Sequence, residues 1–353
     1  MSIIDYLELS FIKGVGKKTV KKLQERFGTV SYVLQNPEIV KEEFGENLFY
    51  LLANRKSSYR ERALREIEKA EKMGIGYTTL EDYNYPPLLK EVPDPPPFLF
   101  FRGNLIWDKP LISVVGSRKC SVYGRSVAVR IAEYLVENGI GIVSGMASGI
   151  DAVVHGVSVK RGGYTVGVLG GGVDYIFPPE NRKLYKDVEE RGCLLSEFLI
   201  GTKPSKYTFP VRNRIIAGIS YGTVIVEAGE KSGALITARF ANDYGRVVFS
   251  VPSNINSPYG KGSNILIKEG AVPVIEIEDI LENLPFLKSG REKEDVNLSE
   301  IEKIVINAVP EPVHIDVVSE RTGISVDKLY VILFDMEIKG LITFDNGMVI
   351  KNL

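Results

Sequence analysis

Little in these 353 residues suits redox, disulfide or metal chemistry: there are two cysteines, two histidines and one tryptophan. Cys120 and Cys193 form neither a disulfide framework nor a zinc-ligand spacing, so both are expected to be packing residues in a reducing compartment. His155 falls inside a helical stretch and His314 in a C-terminal segment, a poor start for a Ser-His-Asp triad. Apolar runs are short and broken, never approaching the roughly 20 residues that span a bilayer. The first residues, Met1-Ser-Ile-Ile-Asp-Tyr6, lack the basic and long apolar parts of a signal peptide, so a cytoplasmic location without membrane insertion is expected. A formal net charge of −1 provides no global field for a polyanion; a nucleic-acid surface would have to be a local patch.

What is present is enough apolar residue, 44%, for more than one core. Residues 1–75 have helical spacing and predict a helical unit. Within it, Ile12-Lys-Gly-Val-Gly-Lys-Lys18 has the form of a helix-hairpin-helix turn, which grips a phosphate through backbone N–H groups or serves packing alone. Residues 76–285 predict the main domain. Its entry, 83–104, is so rich in proline that an ordered strap without regular elements is expected. Seven β-rich runs then alternate with amphipathic helices, beginning at Leu111–Val115 and ending at Val272–Ile275, as in a Rossmann-like, doubly wound, mostly parallel α/β sheet. A charged linker is expected over 286–297. Residues 298–353 predict three helices and an Asn-Gly hairpin, a winged helix.

The chemistry concentrates at strand ends. Gly116, Ser117 and Arg118 follow the first β-rich run and lead into a helix near Ser121, where free N–H groups bind anions. Ser144-Gly-Met-Ala-Ser-Gly-Ile-Asp151 and Leu169-Gly-Gly-Gly-Val-Asp174 end the next two, bringing Gly145 and Gly171 to the same edge. Lys203-Pro-Ser-Lys-Tyr-Thr-Phe-Pro-Val-Arg-Asn-Arg214 places Lys206, Phe209, Arg212, Asn213 and Arg214 ahead of an expected helix Asn213–Ser220. Cations interleaved with aromatic rings hold a single strand by phosphate neutralisation and base stacking. No G-x-G-x-x-G fingerprint occurs, and no cofactor, metal or catalytic residue is expected. Two other readings remain open: a nucleotide-processing enzyme using Glu227 at a strand end, and a transcription factor whose winged helix reads duplex DNA while the main domain senses a ligand. In the third C-terminal helix, acids beside Lys328 and Lys339 make protein binding at least as reasonable as DNA binding.

Gly116-Ser-Arg118, Ser144-Gly-Met-Ala-Ser-Gly-Ile-Asp151, Leu169-Gly-Gly-Gly-Val-Asp174, Phe209-Pro-Val-Arg-Asn-Arg-Ile-Ile-Ala-Gly218 and Ser232-Gly-Ala-Leu-Ile-Thr-Ala238 together resemble the motif series of the DprA/Smf family. The resemblance implies a SAM-like or helix-hairpin-helix module before the main domain and a winged helix after it. It implies a homodimer that protects single-stranded DNA in natural transformation and loads the RecA recombinase onto it, without a catalytic step. Arg118, Lys206 and Phe209 match the family's DNA-contacting positions; Arg212 and Arg214 are added from charge and position. Pro178-Pro-Glu-Asn181 departs from the family by placing an acid where a basic residue can occur, which leaves that edge to Arg182 and Lys183.

Overall fold

Short apolar runs of about five residues, too short for helices and buried on both faces, become the strands of one large sheet. In chain order these are β1 Gly76–Thr79, β2 Phe98–Gly103, β3 Leu111–Val115, β4 Gly141–Ser144, β5 Thr165–Val168, β6 Cys193–Ser196, β7 Gly222–Ile225, β8 Val247–Ser250 and β9 Val272–Pro273. The computed structural model describes residues 2–284, 287, 299–309, 313–338, 342–345 and 347–351. These divide into two compact units, Met1–Gly290 and Arg291–Leu353. Apart from Leu287, the expected linker 286–297 lies outside the described residues.

The sheet order is β1-β2-β6-β5-β4-β3-β7-β8-β9. β3 to β9 are parallel, whereas β2 runs antiparallel to β6 and β1 antiparallel to β2. From β3 the chain winds outward through β4, β5 and β6, then returns to add β7, β8 and β9 on the other side. The order reverses beside β3, and loops leaving the carboxyl ends of β3 and β7 part there to leave a crevice.

Alternation along each strand divides the apolar residues between two layers. Ile112, Val114 and Ile142 pack with Ala128, Ile131 and Leu135 of the helix Val122–Glu137. On the other face, Val115, Val143 and Val166 join Ile215 and Ile216 of the helix Thr208–Gly218, in a core that also takes in Leu7, Leu23 and Leu52 from the N-terminal helices. Those helices, from Ser2–Ser10 to Ser57–Lys72, thus belong to the same compact unit as the sheet.

The structure corrects the reading of the proline-rich strap, which contains a short helix, Pro87–Glu91, and strand β2. Prolines 86 and 87 stand where a helix tolerates them, at its start. The aromatic run beginning at Phe98 follows the last proline, and its N–H groups are free to pair with β6.

The second unit has helices Glu300–Ala308, Ile315–Thr322 and Val326–Ile338 and a three-stranded sheet ordered β10-β12-β11. Here β10 is Val313–His314, β11 is Ile342–Asp345 and β12 is Met348–Lys351. Ser299 and Glu302 form a capping box that opens the first helix, and Gly323 in the left-handed region ends the second. The winged-helix pattern is therefore observed, with β10 as an unexpected third strand; Asn346 of the hairpin lies outside the described residues.

Candidate nucleic-acid interface

At the order reversal, the turn after β3, the turn after β7 and the start of the helix Thr208–Gly218 surround an open groove of about 770 Å³. Gly116 has no room for a side chain: a Cβ would lie 2.6 Å from Ile150. The Ser117 N–H donates to the Glu227 carbonyl (2.7 Å), which ties the two turns together. Arg118 and Lys119 are left exposed on the outer side.

The opposite wall carries Lys206 and Phe209. The Arg118 guanidinium sits 4.8 Å from the Phe209 ring centre, a cation–π contact that draws the two walls together. Lys206 lies 5.0 Å from the ring of Tyr207, which is itself 72% exposed. Lys231, from the turn after β7, and Tyr259 complete the rim. Among the described residues, none of Arg118, Lys119, Lys206 and Lys231 makes an ion pair. Unpaired cations around a partly open aromatic ring suit a phosphodiester with a base beside it.

Beneath this rim the expected pattern changes. Arg212 is only 3% exposed, and its Nη1 donates to the carbonyls of Gly145 (2.6 Å) and Val168. Burial pulls its pKa down to about 10, against the opposing pull of Asp151. Asp151 is also buried; desolvation raises its pKa, while Arg212 and the N–H groups of Ala147 and Gly145 favour its charged form. Arg212 is therefore a positioning residue joining the ends of β4 and β5, rather than the surface phosphate ligand expected. Arg214 is likewise 3% exposed, donating to the Asp94 carbonyl (2.7 Å) and to Glu197.

The physical reason is how deeply the helix lies in the fold. The helix starts at Thr208, not Asn213, because Pro210 stands in the first turn, where its missing N–H costs nothing. From Arg212 to Gly218 every residue of this helix is buried, so both arginines lie inside the fold, while Val211 nearer its start is exposed. Asn213 is nearly buried and donates to the Gly233 carbonyl (3.2 Å), bracing the turn that carries Lys231.

Two glycines also act through packing. A Cβ on Gly145 would collide with the Arg212 guanidinium, and one on Gly171 would lie 2.7 Å from the Thr202 carbonyl. Arg182 and Lys183 are exposed on the helix Arg182–Arg191 and do not line the groove. Glu180, the departure from the family pattern, accepts from the Ser148 hydroxyl (3.0 Å). In the hairpin near the N-terminus, Lys17 is ion-paired with Glu197, a carboxylate it shares with Arg214.

Glu227 has a structural task. Its carboxylate accepts from the Ser121 N–H (2.7 Å) and hydroxyl (2.6 Å), and a Cβ on Gly124 would meet it at 2.7 Å. It thereby anchors the start of the helix Val122–Glu137, where negative charge is favourable. His155 is wholly buried: its Nδ1 pairs with the Thr165 hydroxyl (2.7 Å), and burial together with Arg212 lowers its pKa to about 3. In the second unit, the helix Val326–Ile338 exposes Val331 (72%) and Phe334 (65%) beside Lys328.

Lys119, Lys231 and Tyr259 were not singled out by the sequence reading. Lys231 had a signal, since it sits between Gly229 and Gly233 in the turn after a β-rich run. Tyr259 reaches the groove only through tertiary folding.

Comparison with known proteins identifies the family. Residues 76–285 match the family model for DNA recombination-mediator protein A, and residues 295–348 match the DprA winged helix domain. Protein Smf of Synechocystis is 31% identical over 97% of each chain, and DNA processing protein DprA of Bacillus subtilis is 41% identical over 63% of this chain and 75% of its own. The crystal structure of DNA processing protein A from Streptococcus pneumoniae superposes with a TM-score of 0.64 at 32% identity, covering 80% of this chain and 98% of that one. The same protein from Helicobacter pylori, solved for its single-stranded DNA binding mode, gives 0.54 at 29% identity, covering 60% of this chain and 96% of that one. This chain belongs to the DprA/Smf family of DNA-processing proteins.

Proposed function

We propose that this chain binds single-stranded DNA in the groove at the carboxyl ends of β3 and β7 and, as a homodimer, passes the strand to RecA during recombination and transformation. The observation that carries the reading is that four cations, Arg118, Lys119, Lys206 and Lys231, line the groove without an ion pair among the described residues, with Arg118 over the Phe209 ring. Single-strand binding by the Helicobacter pylori relative and the family's description as a recombination mediator support it. Phosphates lie along the cations and a base lies against Phe209, while Arg212, Asn213 and the glycines hold the walls in place.

No catalytic step is part of the proposal. A hydrolytic role for Glu227 would need a carboxylate free to meet substrate, and this one is engaged by both donors of Ser121.

The test is the affinity of the full chain for a mixed-sequence single strand and for its duplex, followed by RecA filament growth on that strand with and without the protein. A preference for the single strand and faster filament growth are expected. Equal or better binding of the duplex contradicts the groove assignment, and unchanged RecA growth contradicts the loading role alone.

A further inference from the structure

A second hollow lies beyond Phe209, outside the groove. It measures about 640 Å³ and is bordered by the helix Arg182–Arg191, the stretch Val173–Ile176, Arg102 of β2 and Leu194 of β6. Its floor is apolar, formed by Val173, Ile176, Tyr185 and Leu194. Its rim carries more cations than acids: Arg182, Lys183 and Lys186 are exposed and, among the described residues, make no ion pair, while Asp174 and Glu189 also line the hollow, Asp174 accepting from the Gly201 N–H and Glu189 beside Arg102.

One feature is unfavourable without a ligand. Arg182 and Lys183 stand in the first turn of their helix, with no acid in that turn, where the helix dipole disfavours positive charge. The Arg102 Nε is buried without a hydrogen-bond partner, although the same guanidinium lies 3.5 Å from Glu189. An apolar floor, carboxylate acceptors from Asp174 and Glu189 at the wall, and exposed cations at the rim match a flat ring with a hydrogen-bonding edge joined to a phosphate.

A chain of contacts through Phe177 links the hollow to the groove. The Tyr185 hydroxyl donates to the Phe177 carbonyl (2.8 Å) and accepts from the Phe177 N–H (3.3 Å), so a floor residue fixes the backbone of Phe177. The Phe177 ring is 39% exposed and lies 5.6 Å from the Phe209 ring. The two rings are stepping stones from one site to the other.

We infer that this hollow is a second nucleotide site, receiving one base of the same single strand after it leaves the groove over Phe209 and Phe177, with Arg182, Lys183 and Lys186 on the flanking phosphates. The inference rests on the proposed groove function and extends it: it gives the bound strand a direction and a minimum length.

The test compares two oligothymidylates, of about 6 and about 16 nucleotides, on the full chain and on Lys183→Ala/Lys186→Ala, two surface changes that leave the fold intact. The wild type is expected to bind the longer oligomer more tightly; the variant should lose about tenfold on the longer and nothing on the shorter. Replacing the distal bases of the longer oligomer by abasic residues should cost the wild type a similar factor. Equal losses on both oligomers, no loss on either, or full affinity for the abasic strand each overturn the second site. Rim-dependent binding of free dAMP without any gain from strand length would assign the hollow to a mononucleotide and overturn the strand path. If neither oligomer binds the wild type, the groove reading falls and takes this inference with it; if the short one binds and the long one gains nothing, only the second site falls.

Discussion

The outer rim of the groove and its floor use the same residue types for opposite purposes. Arg118 and Lys206 on the rim are exposed, one against Phe209 and the other near Tyr207. Arg212 and Arg214, only a few positions along the same segment from Lys206, are buried and engaged by carbonyls and carboxylates. Cation density in a sequence therefore does not measure phosphate contact; Lys206 precedes the helix and stays exposed, whereas every helix residue from Arg212 to Gly218 is buried. A buried arginine holds the architecture through its fixed fork of donors, whereas an exposed one keeps its charge for a ligand.

Substitutions should separate the two roles. Arg212→Ala leaves the buried Gly145 and Val168 carbonyls without that donor, so urea denaturation should show a loss of about 2–4 kcal/mol. A loss under 1 kcal/mol would mean that Arg212 is no structural tie. The reverse pattern is expected for the rim: Arg118→Ala/Lys206→Ala should unfold like the wild type.

The buried floor also predicts a pH response. His155 has a folded-state pKa of about 3, below its unfolded value near 6.5, so the unfolded chain takes up the proton first. Its contribution to stability is complete above pH 6.5 and falls as pH drops toward 3, by about 1.4 kcal/mol per unit. The raised pKa of Asp151 acts in the opposite direction, favouring the folded state as that carboxyl protonates. Urea titrations of His155→Gln between those limits should show a shallower acid decline than the wild type; identical slopes would remove His155 as the cause.

Smaller effects come from the ring and from the second unit. Phe209→Ala should weaken single-strand binding by about tenfold without changing its salt dependence, because stacking releases no counterions. In the winged helix, Lys328→Ala should change single-strand affinity by less than about twofold, since Val331 and Phe334 leave that helix face with apolar rather than cationic character. A tenfold loss there would move part of the interface to the second unit.

Much of this arrangement could be read from residue order. All seven β-rich runs of the main domain became strands, because each is a short apolar stretch bounded by glycine, proline or charge. The glycine turns indeed gather at the carboxyl ends of β3, β4 and β5. What could not be read depended on distant partners or on where an element begins. Glu227 caps a helix that starts 106 residues earlier, at Ser121, and no local pattern announces that pairing. The helix expected over Asn213–Ser220 starts instead at Thr208, with Pro210 in its first turn. Strand β2 was hidden by the prolines before it, although its four-residue run from Phe98 to Phe101 carried a strand signal.

The central claim is that exposed rim cations, and not the buried ones, meet the phosphates. Its most direct test is the affinity of wild type and Arg118→Ala/Lys206→Ala for one single strand across a salt series. The account predicts weaker binding and a log–log salt slope smaller by about 1.4, roughly 0.7 for each lost phosphate contact. A slope and affinity equal to those of the wild type would contradict it and place the strand elsewhere on the protein.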